Sequence, residues 1–578
     1  MRRGLAAATV LLMGAAAAQA APPTTTQRVV AGETGAAYGR LLFGPGWKRV
    51  VRSDLAAAKA GREKRRTSML YFAQLTDFQL ADEESPARVE SLDQPNTPFT
   101  AAWRPQEALE PFTIDQAIRQ VNRFAGRSPL AARKRRHAKL ALALLTGDNA
   151  DNQQRNEVTW VRELLEGGTV DPNSGVESDA PCAAGIVKKG EAAKYTGVQD
   201  HDDVADSGRF YDPDQPTGTY AAFPSWPGLM DRAEEKFTAQ GLKVPSYYTF
   251  GNHDGTIQGN LWASKTFNDV ATGCAKPLTF AGIEPAQIAS ALTNSFAVPP
   301  DPQRGFLSRA DYMKVSGAGR QPDDHGFAFV GKGEAKASNG SATYYSFKRG
   351  RIRFVALNTV GEGSQINPDG NLDDPQFRWV ERTLKAADKH HELVILFGHH
   401  PIRTMTNDSP DENAPSCASS PQDPGCDGDP RSSQPLHLGP DLQALLLAHR
   451  SVIAYVAGHT HQHNVEAFRA PAAGGSGEGG GGFWGIETSS EVDWPIQSRL
   501  LEVMDNHDGT LSIFGTLIDH GAALTTPPTG TKADGFTPLT LASIARELSF
   551  NDPQQGGTTG MGDPDDRNVE LLLPDPRT

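Results

Sequence analysis

A chain of 578 residues, 38% of them hydrophobic, has enough apolar material to bury a large core. Its 56 Lys and Arg against 69 Asp and Glu give a formal net charge of −13, which argues against a broad surface that attracts nucleic acid. An acidic protein can still bind an anionic substrate where bound metal ions supply local positive charge, so phosphate chemistry stays open.

The first twenty residues have the composition of a secretory signal peptide. Arg2 and Arg3 precede an apolar run, and small residues at Ala18 and Ala20 form a cleavage site. The run is shorter than the roughly 20 residues that a membrane-spanning helix needs. We therefore expect residues 1–20 to be removed and the protein to be secreted, periplasmic or otherwise extracytoplasmic. The paired arginines leave both the general and the twin-arginine export routes open.

The cysteines are four in number, and they are spaced too widely for a zinc knuckle. An exported protein meets oxidising conditions, which favour disulfides. Three pairings are possible. We predict a bond between Cys417 and Cys426, which would close a short loop, and Cys182 and Cys274 as the remaining pair. Four reduced thiols are the alternative.

Five short apolar runs follow an N-terminal extension that we place at residues 21–65. Their length, their β-branched and aromatic content and their lack of alternation are typical of strands buried on both faces. The runs are "MLYFAQL" (69–75), "LALALLTG" (140–147), "SYYTFGN" (246–252), "LVILFGH" (393–399) and "VIAYVAGH" (452–459).

Helices are predicted between these strands, which indicates an α/β core. The clearest is "DDPQFRWVERTLKAA", in which Asp374 can cap the helix and Pro375 can occupy the first turn. Long polar insertions are expected at about 152–240 and at 404–440, the second as a surface loop or lid. The glycine-rich stretch 474–482 predicts a hairpin connection, and 521–578 a C-terminal extension with one helix.

Polar residues follow each of the five predicted strands. Ligands of open α/β sheets bind beyond the carboxyl ends of strands, and alternate residues of an extended chain face the same side. Carboxylate, carboxamide and imidazole groups without thiolate suit Zn, Fe, Mn or Co, and one carboxylate could bridge two ions. The residues are Asp77 and Gln79, Asp148, Asn252 and His253, His399 and His400, and His459 and His461.

The motifs "TDFQ", "GDNAD", "GNHD", "FGHHP" and "GHTH", in this order, resemble those of the calcineurin-like metallophosphoesterase superfamily. That superfamily includes purple acid phosphatases and class III cyclic nucleotide phosphodiesterases. The resemblance covers roughly residues 66–520 without the insertions. It implies an α/β fold with a metallophosphoesterase-type β-sandwich core flanked by helices.

The resemblance also implies a role for each motif residue. Asp148 would bridge two divalent or trivalent metal ions. Asp77, Gln79 and His461 would complete one site, and Asn252, His399 and His459 would complete the other. His253 would be a catalytic imidazole beside the substrate and would be oriented by Asp254. His400 and His463 are expected outside the ligand shell.

Gln79 departs from this pattern, because most members of the superfamily have histidine there. Three interpretations follow: Gln79 ligates through its amide oxygen, or it holds a metal-bound water while a nearby acidic residue supplies charge, or the first site is weak. We favour direct or water-mediated ligation. The nearby acidic residues are Asp82, Glu83 and Glu84, and a solvated turn is the simpler interpretation of Glu83 and Glu84 individually. Surface charge is the simpler interpretation of Arg88 and Arg403.

The predicted function is a secreted binuclear metal-dependent phosphoesterase that hydrolyses phosphomonoesters or small phosphodiesters through a metal-activated hydroxide. A small phosphate ester is the expected partner, without nucleic acid and without membrane association after signal removal. The alternatives are a non-catalytic binding protein with an impaired first metal site and a nuclease. Neither the natural substrate nor the oligomeric state follows from the sequence.

Overall fold

A computed structural model describes residues 27–578 except 33–36, 94–99, 131–135, 178, 180, 183, 202–203, 205–207, 279–293, 362, 364–366, 414–416, 418–422, 472–477 and 557–558. The predicted signal peptide lies outside the described residues. Among the helices of the described ranges, none combines the length and the apolar character needed to cross a bilayer.

The secondary structure alternates between strands and helices. The strands are β1 (Gln27–Ala31), β2 (Leu41–Pro45), β3 (Val50–Arg52), β4 (Thr67–Leu75), β5 (Ala143–Leu145), β6 (Gly168–Val170), β7 (Pro181–Cys182), β8 (Gly185–Ile186), β9 (Phe237–Ala239), β10 (Ser246–Tyr248), β11 (Ala275–Pro277), β12 (Ser295–Ala297), β13 (Tyr345–Arg349), β14 (Ile352–Ala356), β15 (Leu393–Phe397), β16 (Val452–Ala457), β17 (Asn464–Pro471), β18 (Glu478–Glu487), β19 (Gln497–Asp505), β20 (Thr510–Asp519) and β21 (Val569–Pro574). The α-helices are α1 (Arg62–Arg65), α2 (Glu110–Phe124), α3 (Arg155–Glu166), α4 (Leu229–Ala233), α5 (Asn252–Gly255), α6 (Lys265–Ala271), α7 (Arg309–Gly317), α8 (Lys332–Ala337), α9 (Asp374–Lys389), α10 (Gly439–Leu447) and α11 (Pro538–Asn551).

Two large sheets form the centre of the fold. The seven-stranded sheet has the order β10-β5-β4-β19-β20-β21-β3, and the six-stranded sheet has the order β13-β14-β15-β16-β18-β17. Strands β10, β5 and β4 are parallel to one another, and so are β14, β15, β16 and β18. Each sheet therefore has a parallel half whose strand ends lie at a common edge.

The two sheets pack face to face through their buried side chains. The ring of Phe72 on β4 meets the edge of Phe354 on β14 at a centroid distance of 5.4 Å. Gln74 Nε2 also donates a 2.8 Å hydrogen bond to the backbone oxygen of Ala457, which ties β4 to the end of β16. Helices cover the outer faces, with Val380 and Leu384 of α9 packed in the same apolar cluster as the six-stranded sheet. The result is an α/β sandwich flanked by helices.

The five predicted strands are confirmed as β4, β5, β10, β15 and β16, and the C-terminal helix as α11. The five strands belong to two sheets, three in one and two in the other, so the site lies at the edge of a sandwich. The segments expected as extensions contribute β3 and β21 to the seven-stranded sheet. Helix α9 is capped by Asp373, whose side chain accepts from Gln376 N, and Asp374 is already helical.

The insertions are partly built into the body. Segment 152–240 contains α3 and buries Tyr211 and Trp226, so aromatic anchors fix a stretch whose composition is polar. The predicted hairpin is present as antiparallel β17 and β18, although residues 472–477 lie outside the described ranges. The Cys417–Cys426 disulfide is confirmed. No disulfide joins Cys182 to Cys274 within the described structure, where Cys182 Sγ donates to the Cys274 backbone oxygen at 3.0 Å.

Candidate metal centre

The parallel halves of the two sheets bring the predicted site residues to one place. Asp77 and Gln79 follow β4, Asp148 follows β5, and Asn252 and His253 follow β10. From the other sheet, His399 follows β15, and His459 and His461 follow β16. Contacts of 2.9–3.4 Å link these side chains across the sandwich edge. Eight positions separated by up to several hundred residues thus form one cluster.

Four side chains form what we name the asparagine donor set: Asn252, His399, His459 and Asp148. Asn252 Oδ1 lies 2.9 Å from His399 Nε2 and 3.1 Å from His459 Nδ1. His399 Nε2 lies 3.2 Å from both His459 Nδ1 and Asp148 Oδ2. Ligand atoms about 2.1 Å from a single cation lie about 3.0–3.4 Å from one another, so this spacing fits a divalent ion.

A second group, the glutamine donor set, consists of Asp77, Gln79, His461 and again Asp148. Asp77 Oδ1 lies 3.4 Å from His461 Nε2. Gln79 Nε2 lies 3.2 Å from His461 Nε2 and 3.3 Å from Asp148 Oδ2. Asp148 therefore contacts both donor sets through the same oxygen, Oδ2, and it is the residue that a bridging carboxylate requires.

Gln79 has one polar atom that nothing satisfies. The side chain is 3% exposed, and Oε1 has no hydrogen-bond partner among the described residues. A buried unsatisfied acceptor costs about 1–3 kcal/mol, so such an atom calls for a function. A half-turn of the amide exchanges its oxygen and nitrogen and brings Oε1 towards Asp148 and His461. The carboxamide thus fits a cation that would accept this oxygen as a ligand.

The backbone at the site is held in an unfavourable conformation. A positive φ costs a residue other than glycine of the order of 1–3 kcal/mol, and such strain clusters at functional sites. It persists here because the surrounding sheets over-determine the loops. The residues are Asp77 (φ 53°), Gln79 (φ 42°), Asp148 (φ 51°), His459 (φ 77°) and His461 (φ 55°).

The glycines of the motifs allow close approach of the ligands. A Cβ atom on Gly251 would lie 2.1 Å from Asp148 Oδ1, and one on Gly458 would lie 2.4 Å from Asp77 Oδ2. Both distances are far below van der Waals contact. Gly251, which precedes Asn252, and Gly458, which precedes His459, are therefore required by the packing of carboxylates against the backbone at these two positions.

The carboxylates of the site favour positive charge at His461 and His399, whereas burial and the neighbouring His400 and His399 lower the pKa of His459. Burial would lower the pKa of His461, but its contacts with Asp493 and Asp77 raise that pKa to about 10. Burial would also lower the pKa of His399, but the nearby Asp148 and Asp77 carboxylates raise that pKa to about 9. Burial would raise the pKa of Asp148, yet the imidazoles around it hold it well below its usual range. A cation placed here meets an Asp148 carboxylate that is already ionised.

His253 lies beside the glutamine donor set, with Nε2 3.1 Å from Gln79 Nε2. Its Nδ1 is 2.9 Å from Asp151 Oδ1, so Asp151 is the carboxylate that orients the ring. This differs from the predicted orientation by Asp254. The Asp254 carboxylate accepts from the backbone N–H groups of Asn149 and Ala150, because α5 turns it back towards the loop that carries Asp148.

Two further histidines, His400 and His463, were predicted outside the ligand shell, and both have hydrogen-bond partners in the structure. His400 Nε2 contacts the Pro368 backbone oxygen at 2.7 Å, and its Nδ1 contacts Thr359 Oγ1 at 2.8 Å. His463 Nε2 lies 2.9 Å from Gln497 Oε1. Both nitrogens of His400 have these other partners, and one of them also lies within 4.8 Å of ring nitrogens of His399 and His459, so the three histidines together could hold a metal ion.

The acidic trio and Arg88 are buried, which corrects the predictions of a solvated turn and of surface charge. Asp82 pairs with Arg304 at 3.0 Å, and Glu83 pairs with Arg88. Arg403 is 41% exposed and pairs with Glu487 at 2.6 Å. Asp82 and Glu83 therefore pair with arginines, which argues against the interpretation that an acidic residue of this trio supplies charge to the metal site at Gln79.

The sequence analysis missed two carboxylates that orient site histidines. Asp151 closes the "GDNAD" motif three residues after Asp148, and this spacing is a signal that could have found it. Asp493, which contacts His461 Nδ1, comes from "EVDWP", where no pattern indicates a role.

Neither a family model nor a curated protein sequence matches the chain. Among solved structures, the chain is similar to a dimetal phosphatase from Danio rerio, at 12% identity and a TM-score of 0.32, covering 78% of this chain and all of that one. It is similar to PhoD, at 11% identity and a TM-score of 0.30, covering 88% and 83%. A purple acid phosphatase, PPD1 from yellow lupin, matches at 11% identity and a TM-score of 0.25, covering 82% and 55%. These likenesses are distant.

Proposed function

We propose that the protein is a metal-dependent phosphoric ester hydrolase with a binuclear centre. The observation that carries the proposal is the position of Asp148, whose Oδ2 lies 3.2 Å from His399 Nε2 and 3.3 Å from Gln79 Nε2. One carboxylate oxygen thus belongs to two groups of oxygen and nitrogen donors. Mixed donors of this kind suit Zn, Fe, Mn or Co.

Each donor set would hold one ion. Asn252, His399 and His459 would bind one, and Asp77, Gln79 and His461 the other, with Asp148 shared. When bound, a pair of such ions supplies Lewis acidity that polarises a phosphoryl group and acidifies water. The strained loops and the close-packed glycines hold the donors in place before any ligand arrives, which lowers the entropy lost on binding.

His253 would act on the leaving group. Asp151 accepts from Nδ1 and so directs Nε2 towards the donor sets, where the imidazole can give a proton or a hydrogen bond to the departing oxygen. A positioned proton donor contributes roughly 10²–10⁴-fold to a rate. The His253 backbone N–H donates to Asp148 Oδ1 at 2.9 Å, so the acid and the bridging carboxylate are held together.

The proposed substrates are phosphomonoesters or small phosphodiesters. The side chains of His253 and His461 are only 10% and 17% exposed, so little of either imidazole is accessible to a bulky substrate. A net charge of −13 also disfavours long polyanions. We further propose export, supported by the Cys417–Cys426 disulfide and by the N-terminal sequence. Cell fractionation with N-terminal sequencing of the mature protein tests this second part.

Hydrolysis of p-nitrophenyl phosphate and of its bis ester tests the proposal. We expect turnover of at least one ester, loss of turnover after exhaustive chelation, and recovery on addition of Zn²⁺ or Mn²⁺. Metal binding without turnover of either ester would favour a non-catalytic binding protein. Stronger competition by long than by short nucleic acid would favour a nuclease.

A further inference from the structure

Two arginines and a glutamate lie buried behind the candidate metal centre. Arg88, Arg104 and Glu107 are each 1% exposed. All three lie in sequence between β4 and α2. Moving an ion from water into a protein interior costs several kcal/mol unless it is paired and hydrogen-bonded. The ion pairs of these residues connect them to two histidines of the site, His461 and His253.

One direction leads to His461. Arg104 grips Asp493 with both arms of its guanidinium, with Nε 2.6 Å from Oδ1 and Nη2 3.1 Å from Oδ2. A planar two-point contact of this kind fixes the orientation of a carboxylate. Asp493 Oδ2 in turn contacts His461 Nδ1, which leaves Nε2 facing Asp77 and Gln79.

The other direction leads to His253. Arg88 Nη2 lies 3.6 Å from Asp151 Oδ2, and Asp151 Oδ1 contacts His253 Nδ1 at 2.9 Å. The ring nitrogen left over, Nε2, faces Gln79. Each arginine therefore acts on a different histidine through one intervening carboxylate.

Glu107 joins the two directions. Its Oε2 accepts from Arg88 Nη2 at 2.8 Å, and its Oε1 accepts from Arg104 Nη1 at 2.9 Å. The path His253–Asp151–Arg88–Glu107–Arg104–Asp493–His461 is continuous, and Gln79 closes it on the front by contacting both imidazoles. Apolar side chains could fill the same space without buried charges. We therefore infer that these ion pairs serve to orient the side chains of His253 and His461.

We propose that Glu107 is a positioning residue that sets the orientation of His461 as a metal ligand and of His253 as a leaving-group acid at the same time. The proposal rests on the proposed function for its catalytic half. Its metal half rests only on the binding of ions by the donor sets and does not require hydrolysis.

The inference gives two expected changes for Glu107→Gln. An amide can accept from one arginine but presents N–H groups to the other, so one guanidinium loses one of its carboxylate partners while keeping the others, which are Glu83 for Arg88 and Asp493 for Arg104. Loss of a group that orients a metal ligand typically weakens metal binding or activity about 10–100-fold. We expect one ion to be released at roughly tenfold lower chelator concentration, and we expect hydrolysis of an alkyl phosphate to slow about tenfold more than that of p-nitrophenyl phosphate.

Glu570→Gln is the matched control. Glu570 is also buried and is gripped by both arms of Arg62, at 2.9 and 3.1 Å, but it lies on β21 outside the site. Both variants should lose stability to a similar degree. Only Glu107→Gln should change metal retention and leaving-group dependence, because a merely structural carboxylate moves neither.

The experiment compares wild type, Glu107→Gln and Glu570→Gln as purified holoproteins, with metal retained across a chelator series and with the two esters as substrates. Equal behaviour of the two variants, or a change in only one readout for Glu107→Gln, overturns the proposal. If wild type hydrolyses neither ester, the proposed function fails and metal retention alone decides the inference. If Glu107→Gln does not fold, Arg104→Lys takes its place. Easier metal release with unchanged leaving-group dependence supports the proposal, because of the two carboxylates that orient site histidines Arg104 contacts only Asp493, which orients His461. Unchanged metal release overturns the proposal.

Discussion

Replacement of His253 by asparagine separates the two parts of the proposed chemistry, because this residue is placed at the leaving group and not among the metal donors. The imidazole contacts Asp151 and Gln79 through its two nitrogens. The contact with Asp148 comes from the His253 backbone and survives the substitution. We therefore expect His253→Asn to keep the metal content of wild type.

The size of the effect follows from the group that is lost. Removal of a positioned acid should lower kcat for an alkyl phosphate by roughly 10²–10⁴-fold. p-Nitrophenolate leaves with little help from a proton, so its ester should be affected much less. The folded state should lose about 1–3 kcal/mol, because the buried Asp151 carboxylate gives up a partner.

The assay measures kcat for both esters, with metal content and thermal unfolding recorded on the same samples. Asp151→Asn serves as the comparison, since it keeps the imidazole but not the group that orients it, and it should show a weaker form of the same pattern. An equal loss of kcat for both esters, or a parallel loss of metal, would refute the role given to His253.

Three further predictions address the donors, the pH dependence and the core. Gln79→His should retain the ion of the glutamine donor set at higher chelator concentrations than wild type, because imidazole binds Zn²⁺ more strongly than a neutral carboxamide; unchanged retention in metal analysis would remove Gln79 from the site. Burial would raise the pKa of Glu166, but His325 and two backbone N–H groups lower it to about 2, so its stabilisation is complete above pH 4.5 and is lost as the pH falls towards 2. Glu166→Gln should remove up to roughly 2–3 kcal/mol at neutral pH and flatten the acid limb of the stability curve, and an acid limb identical to that of wild type would contradict this. Phe354→Ala should lower the free energy of unfolding, measured with denaturant, by about 3–5 kcal/mol, because Phe354 is buried between the sheets. Phe43→Ala, at a partly exposed position, should lower it by less than about 0.5 kcal/mol. Similar losses for the two variants would show that the sandwich interface is misassigned.

The sequence predicts the strands and the donors well because both signals are local. A short apolar run that stops at a glycine and a polar residue marks a buried strand and its end, and His459 and His461 carry their spacing within three residues. Helix α9 was located for the same reason. Its cap was misplaced by one residue, because Asp373 and Asp374 are chemically equivalent in sequence and only the backbone dihedrals distinguish them.

The rest of the site depends on partners that are distant in the chain. The local sequence around Asp82 indicates a solvated turn, because its partner Arg304 lies 222 residues away in the chain. Asp493 lies 389 residues from Arg104 and acquires its role only when the two sheets meet. The division of the five strands between two sheets is equally non-local, since a parallel pair gives no sign in sequence of which neighbour it will take.

The metal content of the purified protein and of Asp148→Asn tests the central claim most directly. Asp148 is the one side chain shared by both donor sets, and asparagine keeps its shape without its charge. The account predicts about two ions per chain in wild type and fewer than one in the variant, with thermal unfolding confirming that both are folded. Equal metal content in the two folded proteins, or no bound metal in wild type after exposure to Zn²⁺ and Mn²⁺, would contradict it.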